Sequence, residues 1–152
     1  TTDHGYHLGE HGFWQKGNLH EEVVRVPLIF SVPGMKPGRS SSLVELVDFY
    51  PTCTEILGLP TPESLQGRSL MPILKNPSAI VRDTALSINN RGTAGGLRAA
   101  NWHYMNYGEK GDELYDMIKD PHQYANVVGK PEYAEILKEA RAKFRQRIAD
   151  AQ

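Results

Sequence analysis

The sequence predicts an α/β fold: a strand apolar on both faces, of the kind found in helix-covered sheets, followed by a small antiparallel sheet with a C-terminal helix. Three observations predict it. Val26 to Val32 is apolar on both faces, as in parallel strands covered by helices on either side. Thr84 to Ile88, Gly96 to Tyr107 and Asp112 to Ile118 are short strand-like stretches joined by glycine-bearing turns, which suits an antiparallel meander. After Pro131, residues Tyr133, Ile136, Leu137, Ala140, Phe144 and Ile148 fall on one stripe between charged residues, so a terminal helix should cover one face of that meander.

The elements follow in order. The first twenty residues set Gly5, Gly9, Gly12 and Gly17 among four histidines, a backbone too free for regular helix or strand, and read as a structured loop. Leu19 to Arg25 can form a short helical turn ended by Pro27, because the residue before proline is pushed out of the helical region. Val26 to Val32 is the expected strand, closed by Pro33-Gly34. Leu43, Leu46, Val47, Tyr50, Thr54 and Leu57 recur at helical spacing, with Ser42 as N-cap, Gly58 as stop and Pro51 kinking or dividing the helix. Four prolines between Pro60 and Pro77 mark a connector, so the predicted division is 1–77 and 78–152.

Composition excludes several functions. In 152 residues and 17.0 kDa, 17 Lys and Arg against 18 Asp and Glu leave a net charge of −1, which argues against a protein that coats nucleic acid. No apolar run approaches the roughly 20 residues that span a bilayer, so no membrane span is expected. Thr1 leads into Asp3-His4-Gly5 with no basic or apolar run, so these residues hold no expected signal peptide. The single cysteine, Cys53, reads as a small buried apolar residue.

The chemistry-bearing residues cluster at the start. A carboxylate and an imidazole side by side before glycine, Asp3-His4-Gly5, can aim two ligands at one cation, although the same residues also serve as a turn cap and an exposed histidine. His4, His7 and His11 have the spacing of a helical zinc face, but the glycines between them oppose that helix and favour loop histidines that bond locally. Lys16 could neutralise an oxyanion held by a metal, although a lone lysine is more often a solvated surface residue. Tyr6 and His7, next to the pair, could line a sugar pocket or simply pack. Arg25 and Arg68 read as structural ion-pair or turn residues, and Trp102, Tyr104, Met105 and Tyr107 as residues of a packed strand.

The run Thr2 to Lys16, TDHGYHLGEHGFWQK, followed by Glu21 to Ile29, closely resembles the sulfatases of the alkaline phosphatase superfamily, and looks most like their iduronate-2-sulfatase-like branch. The likeness continues in order through Val47-Asp48-Phe49-Tyr50-Pro51-Thr52, Gly58-Leu59-Pro60, Gln66-Gly67-Arg68-Ser69-Leu70, Glu113-Leu114-Tyr115-Asp116, Asp120-Pro121 and Asn126, nearly the whole chain. It implies the C-terminal part of a sulfatase-type sheet domain. It also implies that Asp3 and His4 bind a divalent metal, calcium in the family, that Lys16 contacts the sulfate, and that the substrate is a sulfated carbohydrate such as a glycosaminoglycan. Calcium prefers oxygen donors, so manganese and zinc stay open. The compartment implied is periplasmic, extracellular or lysosomal.

The family's nucleophile is a formylglycine made in a Cys/Ser-x-Pro-x-Arg motif, which this chain lacks: Ser31-Val32-Pro33-Gly34-Met35 follows it only to the proline. The formylglycine and the paired aspartates of the metal site are therefore expected on a missing N-terminal catalytic portion, and the chain alone is expected to be inactive. Two other readings remain: a phosphonate or phosphate monoester hydrolase of the same superfamily, and a non-catalytic module that binds anionic glycan or a partner chain.

Overall fold

A computed structural model describes residues 1–89 and 94–151. Its helices are α1 (Glu21–Val24), α2 (Phe49–Ile56), α3 (Met71–Lys75) and α4 (Ala134–Asp150), and its strands are β1 (Thr84–Ile88), β2 (Gly95–Ala99), β3 (Trp102–Asn106) and β4 (Asp112–Asp116). The strands form one sheet in the order β1-β2-β3-β4, with β2–β3 and β3–β4 antiparallel. The predicted antiparallel sheet and terminal helix are thus present. The expected single strand from Gly96 to Tyr107 is instead two, β2 and β3, turned at Ala100-Asn101, a reversal that no glycine announces. The glycine-bearing turn expected between β1 and β2 falls largely on residues 90–93, outside the described residues.

Two compact units divide the chain: Thr1–Leu28 with Leu86–Gln152, and Ile29–Ala85. This partition differs from a division at 77/78, because the N-terminal loop packs with the sheet.

In the first unit the sheet is buried on both faces. Leu97 lies opposite Tyr104, and Tyr104 opposite Leu114, so these three share a face. That face joins Trp102, Leu137 and Ala140 in one core, with Ile136 and Phe144 packed against it. The amphipathic stripe of α4 therefore covers the meander as its spacing predicts. A Cβ at Gly95 would sit 2.9 Å from the Phe144 ring, so a larger residue there would have to push that ring aside. The other face carries His103, Met105 and Tyr115, and there Leu19 from the N-terminal loop joins Met105, Tyr115 and Met117 in a second core. β3 and β4 each contribute to both cores.

In the second unit the helix predicted from Leu43 to Leu57 is shorter. A turn of 3-10 helix, Leu46–Asp48, precedes α2, so Pro51 falls in the first turn of α2, where its missing N–H is not needed. Ser42 is not the cap. Glu45 and Asp48 cap reciprocally, and the Ser42 hydroxyl donates to the Ala79 carbonyl instead. Gly58 ends the helix as expected, at φ 65°, and the N–H groups of Gly58 and Leu59 close back on the carbonyls of Glu55 and Thr54. The connector from Pro60 to Pro77 is not bare: it contains α3, with Leu70, Met71 and Ile73 buried. Thr52 joins the two helices by donating to the Asp48 carbonyl at 2.6 Å and accepting the Leu70 N–H at 2.9 Å.

The strand expected at Val26 to Val32 does not form: these residues carry no regular structure. Burial alternates along them, with Val26, Leu28, Phe30 and Val32 half-buried and Pro27, Ile29 and Ser31 exposed. A strand needs a neighbour to take its amides, and the described residues place none beside it. Cys53 is half-buried rather than buried. Among the described residues, no helix is long and apolar enough to cross a membrane.

The polar centre of the second unit is Asp48, fully buried. Its carboxylate accepts the N–H groups of Glu45 and Arg68, each at 2.8 Å, and pairs with the buried Arg82 guanidinium, which also binds Glu45 at 2.7 Å. Removing one partner of such a pair strands the other charge without water. Asp48→Ala should destabilise the protein by about 3–5 kcal/mol, read as a shift of the urea-unfolding midpoint, and Asp48→Asn by less.

Candidate functional site

The loop before α1 is built by its own backbone. His7 N–H donates to the Gln15 carbonyl at 3.0 Å and Gly9 N–H to that of Phe13 at 3.0 Å, so the chain doubles back and returns Lys16 toward residue 4. The Tyr6 hydroxyl donates to the Trp14 carbonyl at 2.9 Å and fixes the same reversal. Gly5 anchors the loop on α1: its N–H donates to the Val23 carbonyl at 2.8 Å, and a Cβ there would lie 2.0 Å from the Glu22 carbonyl oxygen. Only glycine permits that approach.

This backbone brings Asp3, His4 and Lys16 together. His4 Nδ1–H donates to the Gly5 carbonyl at 2.8 Å, which selects the tautomer whose Nε2 lone pair is free to accept. That Nε2 receives a hydrogen bond from Lys16 Nζ at 2.9 Å and lies 3.6 Å from Asp3 Oδ2. The Asp3 carboxyl is held below its usual range, first by a backbone hydrogen bond at Asp3 itself and then by the neighbouring His4. A carboxylate, an imidazole lone pair and a flexible ammonium thus converge at the open edge of the loop. Among the described residues no group of three or more His, Cys, Asp or Glu side chains could hold a metal ion, so Asp3 and His4 offer two donors of a larger set at most.

The neighbouring predicted residues separate. Tyr6 is 49% exposed, whereas His7 is fully buried, with Asn18 Nδ2–H donating to its Nε2 at 2.7 Å. His4 is not part of a histidine triad. His7 and His11 instead gather around His20, with His11 stacked on His20 at 4.2 Å and His7 edge-on at 5.8 Å. His11 adopts φ 55°, an uncommon backbone for a non-glycine residue, and its Nε2 lies 3.6 Å from Glu22 Oε2. Burial, then the neighbouring His11 and His7, depress the His20 pKa to about 4.

Sequence reading missed the residues that dock this loop on the sheet. Buried Gln123 accepts the Glu21 N–H at 2.8 Å and donates to His103 Nδ1 at 2.8 Å, tying α1 to β3. Burial above all, with Arg98 and His20 adding, pushes His103 down to about 3, so its 3.9 Å approach to Glu21 is a contact of a neutral ring. Arg98 supplies the ion pair, Nε to Glu21 Oε1 at 3.2 Å. Arg25 and Arg68 are structural, as expected: Arg25 lies 3.9 Å from Glu21, and Arg68 donates to the Val81 carbonyl at 2.7 Å.

Residues 9–150 match the family described as N-sulphoglucosamine sulphohydrolase, C-terminal. The chain belongs to this sulfatase family. Asp3 and His4 lie just before the matched span. The chain is 34% identical, over 91% of its length, to an N-acetylglucosamine-6-O-sulfatase of Bacteroides thetaiotaomicron, and 33% identical, over 90%, to arylsulfatase K of Rattus norvegicus. It spans only 27% and 26% of those relatives. Its fold is similar to a structure solved with its substrate D-glucosamine-2-N,6-O-disulfate, at TM-score 0.89, 31% identity and 97% of this chain against 33% of that one. It is also similar to a phosphonate monoester hydrolase from Silicibacter pomeroyi, at TM-score 0.81, 26% identity and 97% of this chain against 34% of that one.

The depressed histidines set a pH dependence. Between the ordinary histidine value of 6.5 and about 4, the unfolded chain binds a proton at residue 20 that the folded chain refuses, so stability falls as pH falls through that window. His20→Phe should flatten this part of the curve, measured as the urea midpoint between pH 7 and pH 4. Gly5→Ala should lift the loop from α1 and destabilise the protein at every pH in the same experiment.

Proposed function

We propose that this chain is the C-terminal portion of a metal-dependent sulfatase that hydrolyses sulfate esters of sugars. The observation that carries the reading is the convergence on His4 Nε2, 2.9 Å from Lys16 Nζ and 3.6 Å from Asp3 Oδ2. Asp3 and His4 would supply two ligands to a divalent cation, calcium by the resemblance. Such a cation draws charge from the sulfate oxygens. Lys16, now resting on the histidine lone pair, would turn its ammonium to the sulfate and oppose the negative charge that grows there as the ester bond breaks. Of the two residues expected at the sugar, Tyr6 is exposed and His7 is enclosed, so His7 would act by holding the loop shape through Asn18.

The formylglycine nucleophile and the remaining ligands would come from the rest of the parent protein, and the chain alone would be inactive. Sulfated glucosamine is the substrate class favoured by the relatives. The iduronate-2-sulfatase-like branch rests on the sequence motifs. The likeness to a phosphonate monoester hydrolase supports a second reading, in which the same cradle receives a phosphonate ester.

One experiment separates them. The full-length protein should hydrolyse an aryl sulfate and a 6-O-sulfated glucosamine faster than an aryl phosphonate monoester, and should lose activity to a chelator. Lys16→Ala should lower kcat/KM for the sulfate ester about 10²- to 10³-fold. Preference for the phosphonate would select the second reading, and full activity of Lys16→Ala would overturn both.

A further inference from the structure

The sheet separates two working surfaces. The loop of residues 1–28 covers the face with Met105 and Tyr115, and α4 covers the face with Tyr104 and Leu114. Between the segment 128–131 and one stripe of α4 lies an open groove of about 390 Å³, whose apolar lining includes the exposed Pro131 and Ala134 and the edge of the buried Leu137. Its charged lining is of one sign: Lys130, Lys138, Arg141 and Arg145, with no Asp or Glu.

The helix produces that segregation by its period. Lys138, Arg141 and Arg145 stand three and four residues apart on one stripe, spread over about 10 Å of axis. The acids of α4 lie off it, and Glu139 is taken by Lys143 at 3.1 Å. Arg141 is fixed by Asp112 on β4, at 2.6 and 2.7 Å, and so marks one wall. The side chains of Lys130, Lys138 and Arg145 form no ion pair among the described residues and remain exposed. Three uncommitted cations around a shallow, partly apolar trough are more than a solvated helix face needs. In a chain of net charge −1 they concentrate the positive field in one place.

We propose that this groove binds the sulfated sugar chain itself, sulfates on Lys138, Arg145 and Lys130 and the C–H face of a ring on Pro131 and Ala134. The ligand class rests on the sulfatase reading above, whereas the groove does not. It shares no residue with Asp3, His4 or Lys16. The confined charge favours a flexible sulfated polysaccharide over a nucleic acid, which would need a broader basic surface.

The test uses the full-length protein, dextran sulfate and a double-stranded DNA fragment as probes, and calorimetry for affinity. Lys138→Glu with Arg145→Glu should weaken dextran sulfate binding at least tenfold, and added salt should weaken the wild type. The charge-conserving pair Lys138→Arg with Arg145→Lys should bind within about threefold of wild type, and aryl sulfate turnover should be unchanged in both. Unaltered affinity of the charge-reversed protein would overturn the groove. DNA bound as tightly as dextran sulfate, and lost with the same variant, would overturn the sugar assignment. Loss of dextran sulfate binding in a protein that hydrolyses no aryl sulfate would uphold the groove and refute the sulfatase reading alone.

Discussion

Because β3 is buried on both sides, each surface of the first unit rests on a layer of core. Trp102 and Tyr104 face α4 while His103 and Met105 face the N-terminal loop, so neither covering can be removed without exposing the strand. The loop is therefore held by the hydrophobic effect at Leu19 and Val23 and aligned by polar contacts at Glu21. Gln123 is the joint between the two. Its amide uses one end on α1 and the other on a neutral histidine of β3, so no buried charge is needed to hold the loop.

That support explains how a glycine-rich segment can present chemistry. The glycines that make the loop irregular also let it approach α1 within a distance no side chain tolerates, and the short ladder from His7 to Gln15 returns Lys16 to its start. Precision in such a site comes from what lies behind it. The His4 tautomer is chosen by one backbone carbonyl, and the free lone pair then faces outward to the carboxylate and the lysine. Buried His7 and His20 and half-buried His11 fill the space behind as packing residues, His7 hydrogen-bonded to Asn18 and His11 stacked on His20.

Much of this was legible in the residues, for reasons of periodicity. The stripe of α4, the stop at Gly58, the short turn after Leu19 and the strand character of 84–118 each follow from local pattern, and local pattern decided them. The hairpin at Ala100-Asn101 was not legible, because its reversal uses neither glycine nor proline. Val26 to Val32 misled for the opposite reason: its apolar run reports an environment on both sides that the described residues do not supply, and only every second residue is covered. Gln123 gave no signal, since a glutamine between His122 and Tyr124 reads as surface until the fold places its amide between the Glu21 N–H and the His103 ring.

The same two-faced sheet bears on how the surfaces could cooperate. Tyr104 and Asp112 look to α4, and Asp112 fixes Arg141 at the groove; one residue further on, Glu113 looks to the loop, 3.8 Å from His20. Alternation along β4 thus assigns neighbouring carboxylates to opposite surfaces. A sugar chain bound along α4 and an ester held near His4 would be registered by one rigid strand rather than by flexible connections, and a change in one surface should reach the other only through bending of that strand. The close packing of Leu114, the next residue along the strand, with no exposed surface, makes such bending costly. On this construction the two surfaces act as separate contacts on one body, so their effects on binding should add.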